Sequence, residues 1–520
     1  MAEETITIPK KEYEDLKQQN EKLSNQVQFL LEQFHLSQKH RFGSSSEQIK
    51  QDESNLEQLS ILFNEAEVHA DIEDQENEPE QTTAKEHTRR KHVTNLDQLP
   101  ENIEIEVIEK DIAEAEKICP KCGKPMVRIG EKVSRRIKII PEKFVIVETY
   151  TFSYVCQKCQ KKDCFANIVS PKDDVSVIPG SCAIAEAIAC IAAEKFVMYS
   201  PLYRQEQRIN RAGIPLSRQT MLNWLLKSSE LYFEPLWQRM RQKLLQEDIL
   251  HADETELQVL HEPDRKAQTK SFMWLYRTGK ETKEQLILYD CQKTRNSKHP
   301  ISFLKGFSGY LHTNGYSAYR EPAGRCSNRW MYGRRYFYDA VSVLPEKMRK
   351  ESPVWHAIDK FDSLFELEKD FTDLAPNERK EMWNKLAVPI LNSFHDWVSR
   401  LKAVPKSLIG KVIYYVMVQW PWLTAYLKGG RLEISNNRAE RSIKPFVMRR
   451  KNFLFANPPR GTRSSAIIYS LIETAKENNL DPYRYLTWIL KTAPTLNMNN
   501  PDQVDRLFPA NAPALCLSSK

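Results

Sequence analysis

The chain has 520 residues, of which 41% are hydrophobic and 10% aromatic, a composition typical of a globular protein large enough for three or four domains. No apolar run reaches the roughly 18 residues of a membrane span, and the charged N-terminus argues against a secretory signal, so we expect a cytoplasmic protein without membrane segments. The net charge of +7 is unevenly distributed: residues 51–80 contain eleven Asp and Glu and no Lys or Arg, which leaves 76 basic against 58 acidic residues elsewhere. A basic body of this kind favours a polyanionic partner.

A heptad pattern over residues 11–40 predicts a coiled coil. Its apolar seam includes Asn20, and a lone Asn at such a position favours a parallel dimer, so we expect a homodimer or higher oligomer. The alternative is a single amphipathic helix that packs on its own chain. We assign residues 1–48 to this segment and residues 49–100, which change from acidic to basic, to a disordered linker. The seam positions are Tyr13, Asn20, Val27 and Phe34 in one row and Leu16, Leu23 and Leu30 in the other.

Two CxxC pairs predict a structural zinc site. The pairs are Cys119 with Cys122 and Cys156 with Cys159, separated by 33 residues. Each CxxC places two thiolates on one turn, and two such turns supply the tetrahedral set of four sulfurs that zinc accepts. Four thiolates leave no open position, so the zinc would stabilise a module over residues 101–168 without taking part in catalysis. The alternatives are a redox pair or unconnected thiols.

The rest of the chain alternates between helical and strand-like patterns. Residues 169–245 are predicted to be helical and similar to a helix-turn-helix region, because "RAGIPLSRQTMLNWLLK" predicts a short turn and then a helix capped by Ser217. From about residue 246, "DILHADETELQVL", "SFMWLYRTG" and "EQLILYD" are strand candidates before "GYLHTNGY", which predicts a β-meander leading into a mixed sheet. Residues 340–430 are again helical, and residues 463–492 hold one or two closing helices. The sequence therefore predicts a multidomain α/β protein.

Three polar positions in this pattern are candidates for catalysis. Asp253 lies inside the apolar strand "LHADET", where a carboxylate is costly unless it meets a cation. Asn314 lies at the end of the strand "GYLHT", and Glu440 follows the N-cap types Ser435, Asn436 and Asn437, which places it in the first turns of a helix. A strand Asp, a group at the end of a later strand and a helical Glu are the parts of a phosphoryl-transfer site with two divalent ions. Mg²⁺ suits such hard oxygen ligands.

Basic residues surround Glu440, with Phe446, Phe453 and Phe455 interleaved. The cations would bind phosphates, and the aromatic rings would stack on unpaired bases. In the alternative interpretation, Glu440 only forms an ion pair with Lys444, four residues later. The candidate DNA-binding residues here are Arg438, Arg441, Lys444, Arg449, Arg450 and Lys451.

In their order, these motifs resemble the transposases of the insertion-sequence-sixty-six family over nearly the whole chain. "RFGSSSEQ" is similar to that family's N-terminal signature, "CPKCGKPM…YVCQKC" to its zinc module, and "YSPLYRQEQRINRAGIPLSRQTMLNW" to its helical region. "HADET", "HTNGYSAY", "ISNNRAERSIKPFVMRRKNFLFA" and "NNLDPYRYLTWIL" follow in the family's order.

The resemblance implies a ribonuclease-H-like catalytic domain over residues 246–470, with a helical insertion at about 340–430 and a C-terminal helix and tail over 471–520. It implies a bacterial transposase that uses two Mg²⁺ ions to cut double-stranded DNA at inverted-repeat ends and to join 3′-hydroxyls to target DNA. Asp253 and Glu440 would be the first and last acids of its DDE triad and ligands of the magnesium. The helix after Ser217, in the helical DNA-binding region, and the zinc module are the candidate segments for DNA contact. Accessory proteins encoded by the same element are further candidate partners.

Two positions depart from the family pattern. Asn314 stands where the family usually has the middle acid, in "T-D-G-Y". The family's "C-W-x-H-x-R-R" appears here with Tyr332 in place of the His, and its two arginines are added to the candidate DNA-binding residues. The matching positions are Cys326, Trp330, Tyr332, Arg334 and Arg335.

Asn314 keeps an oxygen but lacks the negative charge of a carboxylate, which predicts a large loss of metal-dependent activity. Three interpretations remain open. The protein is a degenerate transposase that binds DNA without cutting; or it is a variant that works with Asn314, or with Asp290 or Asp339 as a substitute; or deamidation of the Asn314–Gly315 dipeptide restores an Asp. As local structure, the same dipeptide predicts a type I′ hairpin turn.

Overall fold

In the computed structural model, the described residues are mainly 175–320, 326–328, 330–342, 354–401, 407–453 and 458–518, with a few short stretches and single positions outside these ranges. The predicted coiled coil, the linker and the four zinc-candidate cysteines lie outside the described residues, apart from Lys17 and Gln19, which are helical. Within the predicted zinc module, the described strands β1 (Tyr154–Val155) and β2 (Ile168–Val169) pair antiparallel.

Helices precede the sheet, as the sequence predicts. The N-cap expected at Ser217 is confirmed, since its Oγ accepts a hydrogen bond from the backbone N–H of Thr220 at 3.1 Å. The apolar sides of these helices contribute Ile188, Phe233 and Leu236 to the main core, all of them fully buried. The helices are α1 (Ala185–Phe196), α2 (Leu202–Arg211), α3 (Arg218–Ser228) and α4 (Glu234–Leu244), with a π-helical turn at Ser229–Phe233 between the last two.

A mixed sheet of five strands forms the centre of the main core, in the order β5-β4-β3-β6-β7. The first three strands along the chain form an antiparallel meander, and β6 and β7 run parallel to β3. The predicted meander leading into a mixed sheet is therefore confirmed. The strands are β3 (Ile249–Gln258), β4 (Lys270–Thr278), β5 (Ile287–Gln292), β6 (Tyr310–Thr313) and β7 (Cys326–Asn328).

Both faces of β4 are covered, which explains why Met273, Trp274 and Leu275 are fully buried. On one face, Tyr276 stacks on Phe303 of helix α5 (Lys298–Phe303), with ring centroids 3.8 Å apart. A strand covered on both sides is a near-continuous apolar run, and "SFMWLYRT" has this composition.

The outer edge of β5 is covered by helix α12 (Pro459–Glu477). The backbone N–H groups of Ile287 and Tyr289 donate to Thr474 Oγ1 and Ser470 Oγ, at 2.9 and 2.8 Å. These side-chain hydroxyls take the place of a further strand, so the edge does not offer its N–H groups to another chain.

The chain does not turn back after β6. β6 is parallel to both of its neighbours, β3 and β7. Crossover connections therefore join it to them, and it is not one strand of a hairpin. Gly315 has a φ of +84°, but Asn314 is not among the described residues with positive φ, and a type I′ turn needs positive φ at both positions. The predicted type I′ hairpin is wrong.

The helical region after β7 has a core of its own. Trp330 lies at its centre: its Nε1 donates to the carbonyl of Leu423 at 2.8 Å, and its ring packs edge-on against Phe361 and Trp420. The prediction of a helical region is confirmed for the described residues. Its helices are α6 (Trp330–Ser342), α7 (Trp355–Asp370), α8 (Pro376–Met382), α9 (Val388–Arg400) and α10 (Leu408–Leu423).

The last helices return to the main core. The predicted closing helices are confirmed as α12 and α13 (Pro482–Thr492), after α11 (Asn437–Phe453) and before the short α14 (Pro501–Val504). Among the residues that the structure describes, no helix has both the length and the apolar composition needed to cross a bilayer.

Candidate active site

The parallel pairing of β3 and β6 brings Asp253 and Asn314 together. The register pairs His251 with His312. Because the strands are parallel, the residues two positions later, Asp253 and Asn314, lie next to each other. The side-chain amino group of Asn314 donates to Asp253 Oδ1 at 3.2 Å. Asp253, inside β3, and Asn314, directly after β6, therefore lie side by side.

The Asn314 amide has a defined orientation. Its Nδ2 also donates to Glu254 Oε1 at 3.2 Å, while its Oδ1 accepts from the backbone N–H of Tyr316 at 3.1 Å. Turning the amide over would set its oxygen against two carboxylates and its amino group against a backbone N–H. Asn314 therefore presents donors to Asp253, not a ligand oxygen.

Glu254, next to Asp253, is held as a buried structural acid. Its side chain is 2% exposed and forms an ion pair with Arg295 at 2.5 Å, and the hydroxyl of Tyr319 donates to its Oε2 at 2.5 Å. Burial, and then the negative charge of Glu254, raise the pKa of Tyr319 well above its ordinary value, so this hydroxyl keeps its proton. Glu254 thus has a cation partner in Arg295 and a hydroxyl donor in Tyr319.

Glu440 lies in the first turn of α11, as predicted, and α11 packs against β3. Asn436, just before the helix, anchors this end: its Nδ2 donates to the carbonyl of Ala252 at 2.9 Å, and its Oδ1 lies 3.0 Å from His251 Nδ1. The backbone N–H of Glu440 donates to the Asn436 carbonyl at 3.2 Å. Glu440 therefore lies one helical turn after Asn436, which is hydrogen-bonded to Ala252, the residue before Asp253.

A buried histidine pair supports both sides of the site. His251 and His312 stack with ring centroids 4.5 Å apart, and Glu433 Oε2 lies 2.9 Å from His251 Nε2. Burial opposes ionisation of Glu433, but its contact with His251 and the charge of Arg438, 3.0 Å away, hold its pKa well below the usual range. Burial lowers the pKa of His312 to about 3, so its neutral Nε2 accepts the backbone N–H of Glu433 at 3.3 Å.

His312 and Glu433 were not predicted to belong to the site, and Asn436 was predicted only as an N-cap residue type. A pattern in the sequence could have indicated the histidines: "HAD" and "HTN" each place a His two residues before a site residue. In a strand, residues two apart lie on the same face, so each His lies behind the polar residue that follows it. Glu433 has no comparable pattern, because its partners come from two distant strands.

Part of the predicted DNA-binding set is engaged within the protein. Arg438 is paired with Glu433, and Arg334 is paired with Asp362 of α7 at 2.8 Å. Arg335 and Arg441 are exposed, and Lys444 is half-buried. The side chains of Arg449, Arg450, Lys451 and Tyr332 lie outside the described residues.

The expectation that Phe446 stacks on DNA bases is wrong. Phe446 is 2% exposed and packs against Tyr289 and Tyr469, with ring centroids 6.3 and 5.5 Å away. It faces the sheet because α11 has one apolar side, along which Ile443 is also buried. The Phe453 side chain and all of Phe455 lie outside the described residues.

Neither proposed substitute for the middle acid takes the place of Asn314. Asp290 on β5 pairs across the sheet with Trp274, which pairs with Glu254, so its side chain lies on the Glu254 face and not on that of Asp253. It accepts from Gln292 Nε2 at 2.8 Å, and burial raises its pKa. Asp339 lies on α6, within the helical region.

Divalent ions fit these contacts only in part. Asp253 and Glu440 offer carboxylate oxygens of the kind that Mg²⁺ accepts, but the middle position offers an N–H donor. Within the described ranges, no group of three His, Cys, Asp or Glu side chains could hold a metal ion. With Asn314 oriented in this way, the residues do not fit a complete two-ion site.

Comparison with known proteins places this sequence in a family. The family model described as "Transposase IS66 family" matches residues 180–464, which include the sheet and all three site positions. A zinc-finger model of the same transposases matches residues 116–160, which include both CxxC pairs. Their "C-terminal element" matches residues 470–510, and a model described as "Transposase C of IS166 homeodomain" matches residues 30–108.

Three curated relatives come from Sinorhizobium fredii (strain NBRC 101917 / NGR234). Uncharacterized protein y4qI is 29% identical over 518 residues, which are 95% of this chain and 90% of that protein. Uncharacterized protein y4jD is 26% identical, over 76% of this chain and 78% of its own length. Uncharacterized protein y4hP is 25% identical, over 75% and 72% respectively.

Proposed function

The chain belongs to the IS66 transposase family, and we propose that it acts at the ends of an insertion sequence, cutting double-stranded DNA and joining the 3′-hydroxyls to target DNA. The observation that supports this most is the meeting of Asp253 and Asn314 at adjacent parallel strands, with the helix of Glu440 anchored to the same place. A ribonuclease-H-like catalytic domain is part of the proposal. It is supported by the sheet, in which an antiparallel meander is followed by two parallel strands.

A second candidate function is favoured by the Asn314 amide. Its amino group lies at the Asp253 carboxylate, where a metal-dependent transposase would need a further ligand. The protein would then bind element ends and cut them slowly or not at all. The expectation of two Mg²⁺ ions is supported by family membership and by the Asp253 and Glu440 carboxylates alone.

The other expected partners follow from the family and the sequence. The zinc-finger match over both CxxC pairs supports structural zinc at Cys119, Cys122, Cys156 and Cys159. A homodimer or higher oligomer through residues 1–48, and accessory proteins of the same element, remain proposals.

Cleavage of end-labelled duplexes that carry the element's inverted repeat tests the location of the site. With Mg²⁺ or Mn²⁺ present, nicking by the full-length protein should be lost in Asp253→Ala and Glu440→Gln. The matched control is Glu256→Gln, since Glu256 lies on the same strand but is exposed and paired with Lys270 at 2.8 Å. Nicking that persists in Asp253→Ala would place the chemistry elsewhere. If the wild type binds the ends without nicking them, the second candidate function holds.

A further inference from the structure

Helices α1, α2 and α3 form a compact three-helix cluster ahead of the sheet. Ile188 of α1, Ile209 of α2, and Met221 and Trp224 of α3 are buried in it. Buried Gln205 ties α2 to the preceding chain, because its Nε2 donates to the carbonyl of Ser200 at 2.9 Å. The cluster therefore holds α2 and α3 in a fixed arrangement.

The connection between α2 and α3 is short and well defined. Four residues, 213–216, separate the C-cap Ala212 from the N-cap Ser217. Gly213 has a φ of +88°, a conformation that favours glycine. Glu206 of α2 accepts the first backbone N–H of α3, from Arg218, at 2.9 Å. Two helices joined by a short turn containing Gly, with the second helix exposed on one side, form the arrangement of a helix-turn-helix.

The exposed side of α3 has an unusual composition. Gln219, Asn223 and Lys227 follow one another at four-residue intervals, so they form one stripe, and all three are exposed. Gln219 Nε2 donates to Asn223 Oδ1 at 3.3 Å, which aligns the two amides. Arg218 is exposed at the start of the helix, where its Nε lies 3.9 Å from Glu206 Oε2 of α2. An ordinary solvated helix face carries both signs of charge, whereas α3 contains no acidic residue.

These side-chain types match the edges of DNA bases. Asn and Gln bond adenine in a bidentate manner, and Arg and Lys bond guanine, in the major groove. In helix-turn-helix proteins, residues near the start of the second helix contact the bases, while the first helix crosses the backbone. Helix α2 exposes Arg204 and Arg211, which suit phosphate contacts.

We propose that α3 is a recognition helix that enters the major groove of duplex DNA, with Gln219 and Asn223 contacting base edges and Arg218 and Lys227 adding cationic contacts. The site lies outside the Asp253 site and uses none of its residues. The identification of this duplex as an element end rests on the proposed function. The proposed base contacts do not depend on it.

Binding of the full-length protein to two labelled duplexes tests this. One duplex carries the terminal inverted repeat, and the other has the same composition in scrambled order. In Gln219→Ala/Asn223→Ala, the ratio of affinity for the repeat to affinity for the scrambled duplex should fall at least tenfold. The affinity for the scrambled duplex should change little. The matched control is Asn384→Ala/Asn392→Ala, which removes two exposed helix amides far along the chain and should keep the preference.

A second variant separates base contacts from charge. Arg218→Ala/Lys227→Ala should weaken binding to both duplexes and reduce the slope of log affinity against log salt by about one to two. Thermal melting identifies variants that fail to fold, and the single variants Gln219→Ala and Asn223→Ala then replace the double one. A folded Gln219→Ala/Asn223→Ala protein that keeps full preference overturns the proposal, and so does a wild type without any preference. Asp253→Ala should keep the preference for the inverted-repeat duplex. A failure of the cleavage proposal can therefore be distinguished from a failure of the recognition-helix proposal.

Discussion

The side-chain amino group of Asn314 bridges two carboxylates of different kinds: it lies 3.2 Å from Asp253 Oδ1 and 3.2 Å from Glu254 Oε1. Glu254 is buried and paired with Arg295, whereas Asp253 is the acid on the α11 side of the sheet. An N–H donor at this place offsets part of the negative charge that a divalent cation would need. A carboxylate here would add charge, so under the proposed function this position would decide how strongly the site attracts a divalent cation.

Acidification should destabilise the protein through His312. Burial lowers its pKa to about 3, below the ordinary 6.5. Between these values the unfolded chain binds a proton that the folded chain does not. The stability is therefore complete above pH 6.5 and falls with pH through this window, on the order of 1 kcal/mol per pH unit.

Thermal melting at about pH 7.5 and about pH 5.5 measures this loss. His312→Gln keeps an acceptor for the Glu433 backbone N–H and should show a smaller drop in Tm on acidification. His261→Gln, which changes an exposed histidine, should behave as the wild type does. An equal drop in His312→Gln would show that His312 is not the group responsible.

Phe446→Ala should destabilise the fold without a direct effect on DNA binding. Removing a buried Phe costs about 3–5 kcal/mol, and the Tyr289 and Tyr469 rings would lose their contact. Urea unfolding measures the loss, and titration of labelled duplex at low temperature measures the affinity. A fall in affinity with unchanged stability would restore the base-stacking interpretation.

Arg441→Ala should weaken DNA binding without destabilising the fold. Arg441 is exposed on the same helix, so its removal should leave Tm unchanged. It should weaken DNA binding and reduce the salt slope by about one, as the loss of one phosphate contact does. Binding at two salt concentrations measures this, and an unchanged affinity and slope would remove Arg441 from the DNA-binding set.

Much of this architecture follows from local pattern. Alternating apolar residues predict the meander, and the Ser217 cap and the helix start before Glu440 follow from residue type. The orientation of the Asn314 amide could not be predicted, because it is decided by the Tyr316 backbone and by Glu254, which the fold brings together. The burial of Phe446 was not predicted, because the many basic residues of α11 make its apolar side difficult to recognise in the sequence.

The zinc prediction can be checked by metal content. The full-length protein should contain one zinc per chain by elemental analysis, since four thiolates complete a tetrahedral set. Cys122→Ser should lose this zinc, and Cys164→Ser, which alters a cysteine beyond the matched zinc-finger segment, should retain it. Zinc retained in Cys122→Ser would contradict the assignment.

The predicted coiled coil can be checked by mass. Removing residues 1–40 should abolish dimerisation, because the heptad seam would be lost. Light scattering at several concentrations measures the mass of the full and shortened chains. A shortened chain with the mass of a dimer would show that other contacts hold the oligomer together.

The activity of Asn314→Asp tests the central claim, that the Asn314 amide limits DNA cutting at the Asp253 site. Nicking of labelled inverted-repeat ends is compared in wild type, Asn314→Asp and Asn314→Asp/Asp253→Ala, with Mg²⁺ or Mn²⁺. A carboxylate adds the missing charge and a ligand oxygen, so Asn314→Asp should nick at least tenfold faster than the wild type, and the double variant should be inactive. A wild type that nicks as fast as Asn314→Asp, or faster, would contradict the claim.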